Sequence, residues 1–324
     1  MKDFSSVTDF SFTVSGPKIR DCGEDSFFFA LNSHTALAAV CDGCGGSGAR
    51  RYPAFQGKTG AYLAARIVAG TIRDAFEAGE FRNSPEQTVG LLQEKFRANL
   101  HMAKNLGGTA GHLKGSLAKE FPSTLAALTC CRGAGGTLKT SCYWAGDSRC
   151  YLLTPDGLMQ LTEDDVDSGD AMDNLTADGT LKNLISLSGA FAVHTKTLAV
   201  SLPAVLFAAT DGCFAYYRTP MEFEYLLLHC LETAENPEGW ENAIRKALRE
   251  VAGDDFTLTG FALGFKSFDR MKNSFKGREA EVSEQYIRKL EGLTRDEMMI
   301  LWKQYRETYS RYLKPDGGRK DGAV

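Results

Sequence analysis

No apolar stretch in this 324-residue chain approaches the ~20 residues that a membrane-spanning helix needs, which removes the helical membrane proteins from consideration. There is no stripe of Lys and Arg either. The formal net charge is −4 and the pI about 5.8, so nothing points to nucleic-acid binding by electrostatics. The first ten residues, Met1-Lys-Asp-Phe-Ser-Ser-Val-Thr-Asp-Phe10, carry two acids and no apolar core, unlike a secretory leader. A cytoplasmic location is the expectation. Nine cysteines do not make an even disulfide framework. Most sit in apolar runs (Cys41, Cys130, Cys131, Cys142, Cys150), which reads as reduced thiols. Cys41 and Cys44 form one Cys-x-x-Cys, but no second such pair and no His pair completes a zinc site. Cys41 reads as a core residue at a strand end and Cys44 as a lone thiol in the turn after it. The 43% hydrophobic content suffices for one large core with an appendage, or for two modest domains.

Acids at the ends of apolar runs are what the chain does have. Thr35 to Cys41 is almost continuously apolar, reads as a buried strand, and runs into Asp42-Gly43-Cys44-Gly45-Gly46. Glycines there allow a sharp turn and close backbone approach. Alone, this is equally a tight turn with a solvated aspartate. The pattern recurs, however. Ala204 to Ala209 runs into Thr210-Asp211-Gly212, Asp254-Asp255 precedes Phe256 to Leu263, and Asp21, Glu24 and Asp25 precede Phe27 to Leu31. If these strands lie side by side, the carboxylates converge, and they repel one another unless cations neutralise them. An all-oxygen set suits Mg²⁺ or Mn²⁺, whereas zinc or iron would call for His and thiolate.

In chain order, strands are expected over residues 4–14, 27–31 and 35–41. A helix is expected from about Pro53 to Ala78, with Tyr62, Ala65, Val68, Ile72 and Phe76 on one face. A second helix is capped by Ser84, Pro85 and Gln87 and runs to about Leu106, followed by a glycine-rich loop over 107–115. Strands return at 123–130, on either side of Gly146-Asp147 within 141–153, at 158–161, 191–198 and 204–209. Residues 163–189 read as an acidic, irregular flap-like insertion. Helices open at Thr219-Pro220 and Asn236-Pro237, and a strand closes the block over 256–265. Strands and helices come in blocks, which predicts an α+β fold: two packed antiparallel sheets flanked by pairs of helices. A catalytic domain over 1–265 is then followed by a helical extension over 266–324. Helices are expected at 278–290 and from Thr294 to about Leu313, the latter with a Thr294/Glu297 capping box and a Leu293–Met298 staple. Its stripe of Met298, Leu301, Tyr305, Tyr309 and Tyr312 reads as a face packed on the domain, with partner docking the sharper alternative. Residues 315–324 read as a disordered tail.

Placed in order, these motifs resemble the metal-dependent (type 2C) protein serine/threonine phosphatases, in their bacterial form. Arg20 with Glu24-Asp25 looks like the family's Arg-x-x-x-Glu-Asp, and Asp42-Gly43-x-Gly45-Gly46 like its Asp-Gly-x-Gly-Gly. Ser123-Thr124 matches a small-residue strand start. Gly146-Asp147-Ser148-Arg149 looks like Gly-Asp-Ser-Arg, and Leu161-Thr162 followed by acids like Leu-Thr-x-Asp. Thr210-Asp211-Gly212 is similar to Ser-Asp-Gly, and Asp254-Asp255-Phe256-Thr257 to Asp-Asn-x-Thr. Each tetrapeptide is weak alone; seven in order over residues 8–265 are a strong signal. The family's fold, two antiparallel sheets with helix pairs outside, agrees with the block pattern.

The resemblance implies hydrolysis of phosphoserine and phosphothreonine in proteins by water activated between two Mn²⁺ or Mg²⁺ ions, with a third, weaker ion in bacterial members. It makes Asp42 the bridging ligand and the Gly43 carbonyl a further one. Asp211 and Asp254 hold the second ion, and Glu24 and Asp25 act partly through waters. Asp147 would serve the third ion, and Arg20 would grip the phosphate with its planar fork. The residue-level alternatives are an exposed Arg20 paired with Asp21 or Glu24, and Asp147 as a plain turn residue. Position 44 departs from the family, which carries His or Met there. Cys44 becomes the candidate for general acid, in a role typically worth ~10²–10⁴-fold. A thiol there also suggests redox inactivation, with peroxide inhibiting the native protein and sparing Cys44→Ala. Asp255 in place of Asn adds negative charge. The expected partners are phosphoproteins and an opposing Ser/Thr kinase, with no nucleic acid and no membrane, acting as a monomer in signal transduction. Two other classes compete: a catalytically silent phosphatase-like binding module, and a thiol-redox module built on Cys41 and Cys44.

Overall fold

The computed structural model describes residues 4–107, 118–166, 170–175 and 180–313. The glycine-rich loop expected over 107–115 and the tail expected over 315–324 therefore lie almost wholly outside the described residues, as do parts of the expected flap. The strands are β1 (Thr8–Gly16), β2 (Ser26–Leu31), β3 (Thr35–Cys41), β4 (Arg51–Tyr52), β5 (Lys58–Thr59), β6 (Leu125–Arg132), β7 (Leu138–Ala145), β8 (Arg149–Thr154), β9 (Gly157–Gln160), β10 (His194–Val200), β11 (Ala204–Ala209) and β12 (Phe256–Leu263). The helices are α1 (Gly60–Glu77), α2 (Pro85–Gly107), α3 (Pro220–Thr233), α4 (Pro237–Val251), α5 (Phe268–Gln285) and α6 (Arg295–Tyr309). Two five-stranded sheets form, ordered β1-β12-β11-β8-β9 and β10-β7-β6-β3-β2, and every pairing in them is antiparallel.

The continuous apolar runs are explained by burial on both faces. Along β3, Ala36, Ala38 and Val40 point into the core between the sheets, while Leu37, Ala39 and Cys41 point to the α1–α2 layer. Side chains alternate along a strand, so a strand covered on both sides has no polar positions to alternate with. The β1-β12-β11-β8-β9 sheet is covered by α3, α4 and α5, through Trp240, Phe223 and Met271. The α+β sandwich expected from the sequence is the observed fold.

Local differences have local causes. The helix expected from Pro53 starts at Gly60 instead. Pro53–Phe55 is a 3₁₀ turn, Gly57 takes φ +74°, and the chain makes the β4–β5 hairpin first. Thr59 then caps α1 by accepting the Tyr62 amide. The helix expected over 278–290 begins ten residues earlier, where the Ser267 hydroxyl accepts the Arg270 amide. Met271, Phe275 and Val282 give α5 its buried face. The capping box at Thr294 and Glu297 is present. The extension is not a separate body: Phe275, Val282, Trp302, Tyr305 and Tyr309 share one cluster with Phe12 and Phe207 of the sheet.

Candidate metal centre

Strand register gathers the acids at one end of the sandwich. Cys41 pairs with Ser26, so Asp42 and Asp25, the next residues outward, are neighbours. Ala209 pairs with Leu258 on one side and Arg149 on the other, which draws Asp211 towards Asp254 and towards the Gly146–Ser148 turn. Gly43 bridges to Ser123, and Thr124 accepts the Asp42 amide at 3.2 Å through Oγ1. Ser148 Oγ lies 2.6 Å from the same hydroxyl, tying the Asp147 turn to the Asp42 turn. Gly146 makes that turn at φ +96°, a conformation that favours glycine.

The consequence is electrostatic. Asp42 is pushed well up from the usual carboxylate range by burial first, then by repulsion from Asp211, Asp25 and Asp147. Burial, followed by Asp211 and Asp164, does the same to Asp147. Asp25 is raised to about 7 by burial, with Asp211 and Asp255 adding to it, and Asp211 to about 6 by burial and Asp254. Glu24 is raised by burial, against a hydrogen bond from the Thr59 hydroxyl. These are the mutual repulsions expected of convergent carboxylates. Asp25 Oδ2 accepts the Thr210 hydroxyl at 2.9 Å, but Asp25 Oδ1 is buried with no hydrogen-bond partner. A buried, orphaned carboxylate oxygen beside three further carboxylates fits a cation.

The converging acids offer only oxygen donors, which suits hard Mg²⁺ or Mn²⁺. Among the described residues, no three His, Cys, Asp or Glu side chains close on one point as a ready-made cage. A small octahedral cation needs only one or two carboxylates, with waters completing its shell.

The proposed ligands Glu24, Asp25, Asp42, Gly43, Asp147, Asp211 and Asp254 are thus brought to one end of the fold. Arg20 is not drawn in with them. Its side chain is 96% exposed, with Nε 3.8 Å from Asp21, which is the surface pair that its sequence context allowed. Cys44 does lie at the site, yet burial and then Asp42, Asp147 and Asp211 push its thiol well up, so it is held protonated. A thiolate needs positive surroundings.

Several contributors, some of them inside the motifs, have no role assigned from the sequence. Asp255 accepts the backbone amides of Lys18 at 2.7 Å and Glu24 at 2.5 Å, one on each oxygen, and so fixes the loop that carries Glu24 and Asp25. Thr59 both caps α1 and donates to Glu24. Asp164 and Asp165, the acids after Leu161-Thr162, bracket the Asp147 turn. Asp165 accepts the Gly146 amide at 2.9 Å, and Asp164 grips the Arg149 guanidinium at 2.9 and 2.6 Å. Beside the acids opens a cleft of about 290 Å³ lined by Lys18, Arg51 and Lys58 together with Glu24 and Asp254. A larger cavity of about 390 Å³ lies at the far end of β3, around His34 and Arg132, and takes no part in this site.

The protein phosphatase 2C profile matches residues 20–250, most of the chain and every acid motif except Asp254-Asp255, which follows the matched stretch. The chain belongs to the protein phosphatase 2C family. A Mycoplasma genitalium protein provisionally named a protein phosphatase is 27% identical over 267 residues, covering 75% of this chain and 90% of its own length. The fold is shared with the Mycobacterium tuberculosis serine/threonine phosphatase PstP/Ppp (TM-score 0.53, 18% identity, 78% of this chain and 98% of that one). It is shared also with Stp1 of Staphylococcus aureus (TM-score 0.55, 17% identity, 81% and 97%). A further PstP catalytic-domain structure (TM-score 0.51, 17% identity, 78% and 97%) is a complex with two manganese ions. Among the described residues of this phosphatase 2C family member, no helix is long and apolar enough to cross a membrane.

Proposed function

We propose that this protein hydrolyses phosphoserine and phosphothreonine in proteins, using Mn²⁺ or Mg²⁺ held by the acids at the sandwich end. The observation that carries the reading is the convergence of Asp25, Asp42, Asp147 and Asp211, with the buried Asp25 Oδ1 left without a partner. Asp42 and the Gly43 carbonyl, with Glu24 and Asp25, would hold one ion. Asp211 and Asp254 would share the other with Asp42, and Asp147 would serve a third. Bound metal supplies charge neutralisation and a lowered pKa for water at neutral pH.

The chain's own groups do the rest. Asp255 and Thr59 hold the Glu24–Asp25 loop so that its carboxylates need no reorganisation when substrate arrives. The Thr124–Ser148 hydroxyl pair keeps the Asp42 and Asp147 turns at a fixed separation. Arg20, committed only to a fully exposed ion pair, is free to turn its fork onto phosphate oxygens. Lys18, Arg51 and Lys58 put cations in the adjoining cleft, opposite Glu24, Asp254 and Asp255, where they could meet a dianionic phosphoryl group once metal neutralises the acids. Cys44, held as a thiol, keeps a proton that it could pass to a leaving alkoxide, although as a weak acid.

The deciding experiment is p-nitrophenyl phosphate and phosphothreonine-peptide hydrolysis with Mn²⁺, with and without EDTA, for wild type and Asp42→Asn. Turnover that needs Mn²⁺ and falls at least ~10³-fold in the variant is expected, given that the metal supplies both nucleophile and charge. No turnover from folded, Mn²⁺-loaded wild type would leave a phosphatase-like binding module in its place.

A further inference from the structure

The extension beyond Phe265 lies outside the family match, yet its last helix reaches the machinery behind the metal centre. Tyr309, 1% exposed on α6, places its hydroxyl 3.2 Å from Arg149 Nη1 and 3.2 Å from the Tyr151 hydroxyl. Arg149 is 2% exposed. It stacks over Phe214 at 4.1 Å and is held in a two-point bond by Asp164. Asp164 also accepts Asn174 Nδ2 at 2.8 Å and Gln160 Nε2 at 3.1 Å. One and two helical turns before Tyr309, α6 grips Asp170. Trp302 Nε1 donates to Asp170 at 2.8 Å, and Arg306 Nη1 donates to the other Asp170 oxygen at 3.1 Å.

These contacts meet at one place. Arg149 closes the Gly146-Asp147-Ser148-Arg149 turn from one side, and Asp165, adjacent to Asp164, holds Gly146 from the other. The turn that presents Asp147 is therefore clamped by residues 164–165, and α6 meets this clamp at Arg149 through Tyr309 and reaches Asp170 through Trp302 and Arg306.

We propose that α6 is a positioning element of the metal centre: Tyr309 holds Arg149, and through it Asp164, while Trp302 and Arg306 hold Asp170, so that the Gly146–Arg149 turn presents Asp147 in one fixed direction. None of these α6 residues is placed among the metal-holding or phosphate-gripping groups; they act through Arg149 and the acids. The metal arm of this inference rests on the metal reading above. Buried guanidinium–carboxylate geometry tolerates little disorder, and groups that orient metal ligands typically govern metal affinity by 10–100-fold.

The test uses the full-length protein with Tyr309→Phe and Trp302→Phe. Its control is Tyr305→Phe, which removes a hydroxyl from the same helix, but one that binds Glu224 on α3. Mn²⁺ titration by calorimetry should show the weakest binding step reduced roughly tenfold in Tyr309→Phe and unchanged in Tyr305→Phe. Hydrogen exchange of the metal-free protein should show faster exchange at the amides of residues 146–150 and 161–165 in Tyr309→Phe and Trp302→Phe. In Tyr305→Phe the loosening should fall on α3 and α5 instead. Equal losses in all three variants would mean that α6 is only a structural prop and would overturn the proposal, as would no change in Tyr309→Phe. If the wild type binds no Mn²⁺, the metal reading fails, and the exchange pattern alone decides whether α6 holds the turn.

Discussion

Asp255 is 8% exposed and accepts the Lys18 and Glu24 amides, one per oxygen. An asparagine, with one carbonyl oxygen, could accept only one of them and would turn an NH₂ towards the other. Against this, Asp255 raises Glu24 and Asp25 by repulsion, so Asn would relieve some charge. Hydrogen bonds to a charged group contribute about 1.5–3 kcal/mol each, more than a repulsion that ranks behind burial. Asp255→Asn should therefore destabilise the metal-free protein by roughly 1–3 kcal/mol in urea unfolding. A stability gain would show that charge relief dominates. Cys44 carries a second residue-scale expectation. With burial first, and then Asp42, Asp147 and Asp211, holding it protonated, it should react with iodoacetamide far more slowly than the exposed Cys22 in the metal-free protein at pH 7.5, read by peptide mass spectrometry. Comparable rates would support the redox inactivation that a thiol at position 44 suggests. The acids Asp25, Asp42, Asp147, Asp211 and Asp254 were legible because each ends or begins an apolar run. Asp255 was legible only as extra charge, since its work is done on backbone amides that no side-chain pattern records.

The element that best shows the limits of pattern reading is the start of α1. Periodicity from Tyr62 onward predicts the helix, but Pro53 draws its start too early. The left-handed Gly57 and the β4–β5 hairpin end the continuity, and the helix begins only where Thr59 can cap it. That cap has a second partner. Its oxygen accepts the Tyr62 amide while its proton goes to Glu24, so the first turn of α1 and the acidic loop share one hydroxyl. Thr59→Ala should cost about 1 kcal/mol for the lost cap, seen in thermal or urea unfolding. It should also lower Mn²⁺ affinity by freeing Glu24. Thr59→Ser, which keeps the hydroxyl, should restore both. Stability loss with unchanged Mn²⁺ affinity would confine Thr59 to capping. The fold itself was easier to read than this junction, because blocks of strands and helices depend on long segments such as β3, β11 and β12. The α6 contacts with Arg149 and Asp170 were not readable at all: an aromatic stripe specifies that a face is buried, not which polar groups its hydroxyls and indole nitrogen will meet.

At the scale of the molecule, the sandwich concentrates like charge at one end, and its stability should register that. Asp25 and Asp211 stand at about 7 and about 6 in the folded state, against about 3.9 for an unfolded aspartate. Between pH 4 and 7 the folded protein therefore holds more protons than the unfolded one. Unfolding free energy then falls as pH rises through this window, by an amount on the order of a few kcal/mol, since one pKa unit is about 1.4 kcal/mol. His194 works in the same direction. Its pKa is raised by the hydrogen bond to Asp165, so its contribution is present below its unfolded value and lost as pH climbs through the folded one. His194→Gln removes that component and leaves the carboxylates. In EDTA, the melting temperature of this variant should drop from pH 5.5 to pH 7.5. Mn²⁺ binds only the ionised acids, so it should raise the melting temperature most at pH 7.5, and saturation at 100 times Kd contributes about 2.7 kcal/mol. The slope with pH would flatten or reverse in Mn²⁺, because the charges that destabilise the empty end of the sandwich are the ones that bind the ions. A metal-free melting temperature that stays level from pH 5.5 to 7.5 would mean that the acids do not share one field. The convergence from which the whole functional reading starts would then be lost.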